Sequence, residues 1–329
     1  MTVGWGIVGC SDIVRRRAAD AILAQPDSHI AAFFSHSSAL ADEHAARYGG
    51  RGYTNLDALL ADEDVKIVYV ASPVERHAPE TIAAANAGKH VLVEKPMALT
   101  AAQCDAMIAA AQANSVHCAV AYYARWLPKV REMKRLLDEQ TLGTVVRAHV
   151  AQLSEFNPAA DDPKIWRVRG RAGGGALADV GSHRLDLLHY LLGPPVAVWA
   201  ACDKTTHPDW QSPDTETVFV RYASGTHLTL VCNWNTPHGV PAWELHGTQG
   251  SIVSDPWNAE PLTILGRDDF PVFESTYPDN AHFGVVHDFA RAVIENRPPE
   301  FPAEQGAWAT RIIEAAQTAS QTGCVVELA

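Results

Sequence analysis

Gly6-Ile7-Val8-Gly9-Cys10-Ser11-Asp12-Ile13-Val14 ends the first apolar run of the chain and opens a stretch rich in alanine and arginine. A glycine turn between a strand and a helix brings backbone close to a pyrophosphate and aims the N–H groups of a helix N-terminus at the anion. With Gly9 as the first glycine, Ser11 and Val14 stand at the second and third glycine positions of the dinucleotide fingerprint. Serine is small enough to keep that approach open and adds a hydroxyl donor, whereas valine departs from the pattern. An ordinary strand-to-helix turn has the same outline, so the segment by itself leaves both readings open.

Outward from this turn, short β-branched runs alternate with alanine-rich ones. Strands are predicted at Val3 to Val8, Ile30 to Ser35, Ile67 to Ser72, His90 to Lys95 and His117 to Tyr122, and helices at Asp12 to Ala24, Ala39 to Tyr48, Glu75 to Ala87 and Thr100 to Asn114. Such alternation predicts an α/β, Rossmann-type, doubly wound parallel sheet. After residue 122 strand-like runs follow one another: Thr144 to Leu153, Val196 to Asp203, Thr215 to Tyr222, His227 to Trp234, Ala242 to His246 and Ser251 to Ser254. Ala223-Ser224-Gly225-Thr226 and Gly247-Thr248-Gln249-Gly250 stand where hairpin turns are needed. Helices are predicted at Leu127 to Glu139, Asp179 to Leu192, Phe283 to Asn296 and Ala303 to Thr322. The expectation is a dinucleotide-binding domain over residues 1–122 and, over 123–329, an α+β domain built on an open, mainly antiparallel sheet. That sheet has no helices left to cover one face, which predicts a homodimer or homotetramer.

The 329 residues carry 26 Lys and Arg against 38 Asp and Glu, a net charge of −12 that argues against nucleic acid and anionic membranes as partners. No apolar run approaches the roughly 18 residues of a membrane span. No basic segment precedes the first apolar run, so no secretory signal is read. Cys10, Cys104, Cys118, Cys202, Cys232 and Cys324 are scattered without a CxxC pair, which reads as reduced thiols in a cytoplasm with no metal site.

Three further segments are candidates for chemistry. The second strand ends at Phe34-Ser35-His36-Ser37, where an NAD-selective fold places an acid for the ribose hydroxyls. Ser35 does not repel a 2′-phosphate, and His36 with an arginine from Arg15 to Arg17 can meet one, although those arginines read equally well as a solvated helix face. The fourth predicted strand ends Val93-Glu94-Lys95-Pro96, which aims Lys95 into the ligand crevice, unless Glu94 and Lys95 are a surface ion pair. Last, a glycine-rich stretch from Gly173 leads to Asp179, His183, Asp186 and Tyr190, one polar stripe at helical spacing. A carboxylate one turn from a histidine can fix the ring tautomer and raise its basicity. A solvated face or a two-ligand metal site would give the same stripe.

In this order, and with Tyr69-Val70-Ala71-Ser72-Pro73, His77, Arg125-Trp126-Leu127-Pro128 and Trp166-Arg167 between them, these segments resemble the Gfo/Idh/MocA family of glucose-fructose oxidoreductase and inositol dehydrogenase-like enzymes. The resemblance implies an NAD(P)-dependent oxidoreductase moving a hydride between nicotinamide and a sugar, sugar alcohol, inositol or keto-sugar. It implies Lys95, Asp179 and His183 as the catalytic set, with Lys95 at the reacting oxygen and His183, oriented by Asp179, as general acid/base. It places Gly9, Cys10, Ser11, Asp12, Ile13, Ser35, His36, Ser72, Pro73, His77, Glu94, Lys95, Trp166 and Arg167 at the cofactor. Tyr122 and Arg125 join the catalytic set at the substrate, and the bond before Pro96 is expected to be cis. The Gly-x-Ser turn and Ser35-His36 resemble the NADP-dependent members, so NADP(H) is favoured and NAD(H) possible. An NAD-dependent glycoside hydrolase and a non-catalytic sugar-sensing regulator of the same fold are the alternatives.

Overall fold

The computed structural model describes residues 2–328 except Pro163, residues 170–173, residues 255–260 and Asp268, with the side chain of Trp166 also left aside. Gly173 and the Trp166 side chain, both singled out above, therefore lie outside the described residues. The chain forms two compact units, one of Met1–Tyr123 and Asp279–Ala307, the other of Ala124–Pro278 and Trp308–Ala329. The single boundary expected at 122 is thus crossed back by residues 279–307.

In the first unit, strands β1 (Val3–Val8), β2 (Ser28–Phe34), β3 (Arg51–Tyr53), β4 (Val65–Val70), β5 (His90–Val93) and β6 (Cys118–Val120) pair parallel in the order β3-β2-β1-β4-β5-β6. In this doubly wound order the path of the chain reverses next to β1, so the carboxyl ends of β1 and β4 bound the crevice where such sheets take ligands. Every residue of β1 is buried, as parallel strands covered on both faces require. Arg51-Gly52-Tyr53 has no apolar pattern and is held as an edge strand by pairing with Ala32 to Phe34, which is why periodicity did not find it.

Helices α1 (Ala19–Leu23), α2 (Ser38–Tyr48), α3 (Leu56–Leu60), α4 (Val74–Asn86) and α5 (Ala101–Ala113) connect these strands. The helix expected over 12–24 is present over 12–23, with a π-turn, Val14–Ala18, set inside it just before α1. Val14, the residue that departs from the fingerprint, begins that turn and is fully buried.

The second unit has α6 (Pro128–Asp138), β7 (Val145–Leu153), α7 (Ser182–Leu192), β8 (Pro195–Asp203), β9 (Thr215–Tyr222), β10 (His227–Asn233), β11 (Ala242–Gly247), β12 (Ser251–Val253) and β13 (Ile264–Leu265). The chain continues through α8 (Phe283–Glu295), α9 (Ala303–Thr322) and β14 (Val326–Glu327). Its sheet runs β13-β12-β11-β7-β10-β9-β8-β14, with β7 and β10 parallel and the other pairs antiparallel. β9 alternates strictly, burying Glu216, Val218, Val220 and Tyr222 on one face. Glu216 is the one carboxyl in that otherwise apolar set and is 2% exposed. α8 belongs to the first unit because its apolar face is buried there, Phe289 lying 6.3 Å from the Trp5 ring.

Candidate active site

Gly9 has φ +97°, and a Cβ there would lie 2.7 Å from the Ser72 nitrogen and 2.8 Å from the Ala71 oxygen, so only glycine fits the turn. Its N–H donates to the Phe34 carbonyl at 3.0 Å. Two residues on, the Ser11 hydroxyl oxygen is buried with no hydrogen-bond partner among the described residues. A buried hydroxyl left unsatisfied costs about 1–3 kcal/mol, and a phosphate oxygen is the acceptor that this position in a doubly wound sheet provides. The turn therefore fits a dinucleotide. Cys10 contributes no thiolate, because burial, and then Glu43, pushes its thiol up to about 11. Ile13 is half-buried, and Asp12 is exposed and ion-paired to Arg16 at 3.3 Å.

At the end of β2, the Ser35 N–H donates to Tyr53 and its hydroxyl oxygen accepts from the Ser37 N–H. His36 is exposed, its ring edge-on to Phe34. Of Arg15 to Arg17, Arg16 holds Asp12 and the Arg17 guanidinium lies over the Tyr123 ring, and the cation described beside His36 is a different one. It is Arg76 of α4, whose Nη2 is 2.9 Å from His36 Nε2. Arginine only donates, so Nε2 accepts and the neutral imidazole carries its proton on Nδ1. The sequence reading missed Arg76. The available signal was a cation in the first turn of a predicted helix, where the macrodipole disfavours it.

Behind this edge the Ser72 hydroxyl donates to Glu80 at 2.5 Å, and Pro73 stands exposed before α4. Burial pushes the Glu80 carboxyl up, while Ser72, Arg76 and His36 act against the rise. His77 is only 2% exposed, with Nδ1 2.9 Å from the Pro96 oxygen and Nε2 2.9 Å from the Ser72 oxygen. Burial lowers its pKa despite these carbonyls. It ties two backbone segments together, one after β4 and one after β5.

Glu94 is buried too. It accepts the Tyr69 hydroxyl at 2.5 Å, the Lys95 N–H at 3.1 Å, and faces His282 Nε2 at 3.4 Å. Burial pushes this carboxyl up, but His282, Tyr69 and the Lys95 charge outweigh burial and hold it below its usual value. His282 stacks in turn on Tyr123 at 4.9 Å. No spacing in the sequence links His282 to Glu94, 188 positions away. Lys95 is half-buried directly after β5, and the Lys95–Pro96 peptide is cis, as the resemblance implied. Tyr122 is 3% exposed, so core packing accounts for its ring.

In the second unit the members of the expected polar stripe have partners the spacing did not reveal, and Asp179 stands in a turn ahead of the helix that carries the others. Arg125, expected at the substrate, is 1% exposed and grips Asp186 at two points, Nε to Oδ2 at 2.9 Å and Nη2 to Oδ1 at 2.6 Å. Its guanidinium also lies over the Tyr190 ring. Asp179 lies within a second π-turn, Leu177–Gly181, that runs into α7, and its Oδ2 is 3.1 Å from Arg167 Nη1. Arg167, expected at the cofactor, is thus a partner of Asp179 and also lies over the Phe156 ring. His183 is half-buried in the first turn of α7.

The approach to this π-turn is held by Gly175, at φ +104°, whose N–H donates to the Arg167 carbonyl and whose oxygen accepts from the Asp179 N–H. A Cβ on Gly175 would come within 3.3 Å of Glu216. The Glu216 carboxyl accepts the Leu177 N–H at 2.6 Å, and the Ala176 N–H as well. Burial, and then Asp214, pushes it up to about 8 against those two hydrogen bonds. No group of three or more metal-ligating side chains converges among the described residues.

Two family models match: an oxidoreductase family with an NAD-binding Rossmann fold over residues 3–122, and the GFO/IDH/MocA C-terminal domain over residues 130–253. A 1,5-anhydro-D-fructose reductase of Ensifer adhaerens is 27% identical over 334 residues, covering 98% of each chain. A dTDP-3,4-didehydro-2,6-dideoxy-alpha-D-glucose 3-reductase of Streptomyces violaceoruber is 32% identical over 292 residues, 88% of this chain and 82% of the other. Among solved structures, a levoglucosan dehydrogenase in complex with NADH and levoglucosan superposes with a TM-score of 0.89 at 25% identity, covering 99% of each chain.

Proposed function

The chain belongs to the Gfo/Idh/MocA oxidoreductase family, and from that premise we propose that it interconverts a secondary alcohol and a ketone, or a lactol and a lactone, on a sugar-like ring, preferring NADP(H). The observation that carries this reading is the Gly9–Ser11 turn: an obligatory glycine at the reversal point of the sheet, followed by a buried hydroxyl awaiting an acceptor. The relatives named for sugars and a sugar nucleotide support the substrate class. Ser35, in place of a carboxylate, supports the cofactor preference.

Bound dinucleotide supplies or takes up the hydride. The chain's own groups do the rest. Gly9 and Ser11 hold the pyrophosphate, and Glu94, fixed by Tyr69 and His282, sets the backbone from which Lys95 projects. In oxidation, His183 takes the proton of the substrate hydroxyl as its carbon loses hydride, and Lys95 stabilises the negative charge gathering on that oxygen. Reduction reverses each transfer. Asp179, held by Arg167, sets the electrostatics at the head of the helix that carries His183.

The test is absorbance of reduced nicotinamide across sugars, inositols and keto-sugars with both cofactors, followed by variants on the best substrate. Lys95→Met should keep cofactor affinity and the unfolding midpoint while turnover falls at least about 100-fold, and His183→Asn should lower kcat about 10²- to 10⁴-fold. Turnover of either variant within about threefold of the parent sinks the role given to that residue. Cleavage of a glycoside without net nicotinamide change would point instead to the hydrolase alternative.

A further inference from the structure

We infer that Arg76, presented by α4, is the residue that selects NADP(H), pairing with the 2′-phosphate of the adenosine ribose while His36 steadies its guanidinium at the end of β2. The inference rests on the oxidoreductase reading above and names the cation that reading left open.

Three observations converge on it. In a doubly wound sheet the adenosine ribose is met at the carboxyl end of the second strand, and Arg76 Nη2 stands 2.9 Å from His36 Nε2, two residues past the last residue of β2. Of the three arginines the sequence offered, Arg16 contacts Asp12 and Arg17 lies over Tyr123, while Arg76 is the one described with its guanidinium on His36. The third observation is energetic. Arg76 is exposed in the first turn of α4, whose first helical residue is Val74, and there the positive end of the macrodipole repels a cation. Glu75 beside it and Glu80 offset part of that repulsion, and a bound dianion would offset the rest.

The surroundings suit a dianionic phosphate, which is best met by a planar guanidinium. The segment after β2 reads Ser35-His36-Ser37-Ser38, three hydroxyls and no carboxylate. His36, accepting from Arg76 through Nε2, keeps Nδ1–H as a further donor. Glu80, which faces both Arg76 and His36, is 7% exposed and has one carboxylate oxygen taken by the Ser72 hydroxyl.

The test is the dissociation constants of NADPH and NADH, read from nucleotide fluorescence without turnover, on parent, Arg76→Ala and Arg76→Lys proteins. The parent should bind NADPH more tightly. Arg76→Ala should weaken NADPH about 10- to 100-fold and leave NADH within about twofold, with Arg76→Lys intermediate because it keeps the charge and loses the fork. The Arg76→Ala protein should also melt at the same temperature as the parent or slightly above it, since an unfavourable charge has left the helix N-terminus. Unchanged NADPH affinity in Arg76→Ala, an equal loss for both nucleotides, or a parent that prefers NADH would each overturn the role of Arg76 while leaving the oxidoreductase reading intact. A parent that binds neither nucleotide would overturn both.

Discussion

Arg125 and Asp186 form a buried ion pair, and the pairing fixes what each residue does. The Arg-Trp-Leu-Pro segment drew attention through family resemblance, and Asp186 through its place on a polar stripe; only the fold brings them together, 61 positions apart. Burial pushes the Asp186 carboxyl up and the guanidinium opposes the rise, so loss of Arg125 would strand a carboxyl in the core. Breaking such a pair from one side costs about 3–5 kcal/mol, whereas replacing both partners by apolar residues of similar volume is often close to neutral. Arg125→Met should therefore lower the urea midpoint sharply, and adding Asp186→Leu should restore most of it. A single variant that loses less than about 1 kcal/mol would mean the pair behaves as a surface contact. At this scale the sequence revealed residue types and their chemistry but not their partners: Lys95, Asp179 and His183 could be picked out, whereas Arg76, His282 and Glu216 could not. Their significance lies in contacts with His36, Glu94 and the Leu177 amide respectively, across separations that carry no pattern.

Two π-turns occupy segments that the sequence singles out for chemistry, Val14–Ala18 after the glycine turn and Leu177–Gly181 around Asp179. Such turns are uncommon and gather at functional sites. The strands were readable because β1 and β9 have unambiguous burial patterns, continuous in one and alternating in the other. The π-turns were not, because they keep nearly helical spacing and change only the hydrogen-bond partner. Glu216 shows how the second turn is held. Its folded pKa of about 8 lies above the ordinary 4.5, so its contribution to stability is fully present below about pH 4.5 and is lost as the pH rises through 8. The parent should accordingly lose stability between pH 5 and 8.5, by an amount of order a few kcal/mol, relative to Glu216→Gln. Gln keeps an oxygen for the Leu177 amide and cannot ionise. Denaturant midpoints of the two proteins at both pH values test this, and parallel pH dependence would remove Glu216 as the cause.

Across the whole molecule, composition and strand rhythm were enough to read a parallel sheet followed by a mainly antiparallel one. The return of residues 279–307 to the first unit was not readable, because α8 has the pattern of any amphipathic helix and its partner, Trp5, lies at the other end of the chain. The eight-stranded sheet carries the remaining argument. Its buried face includes Val198, Val218, Leu230, Val150 and Leu245. The opposite face carries Trp199 paired with Phe219, then Thr229, His149, Glu244 and Val253 in register across six strands. Trp199 is 42% exposed, Phe219 36% and Val253 41%, and large apolar side chains in one row on water carry a free-energy cost that a second copy of the chain can remove. We expect a homo-oligomer assembled through this face. A two-fold axis would set the row against its own copy, so one substitution enters the interface twice. Phe219→Glu should then shift the mass seen by light scattering at micromolar concentration to that of a 35.6 kDa chain while leaving dinucleotide affinity unchanged. A parent protein already at 35.6 kDa, or a Phe219→Glu protein that stays assembled, would show that this face does not hold the subunits together.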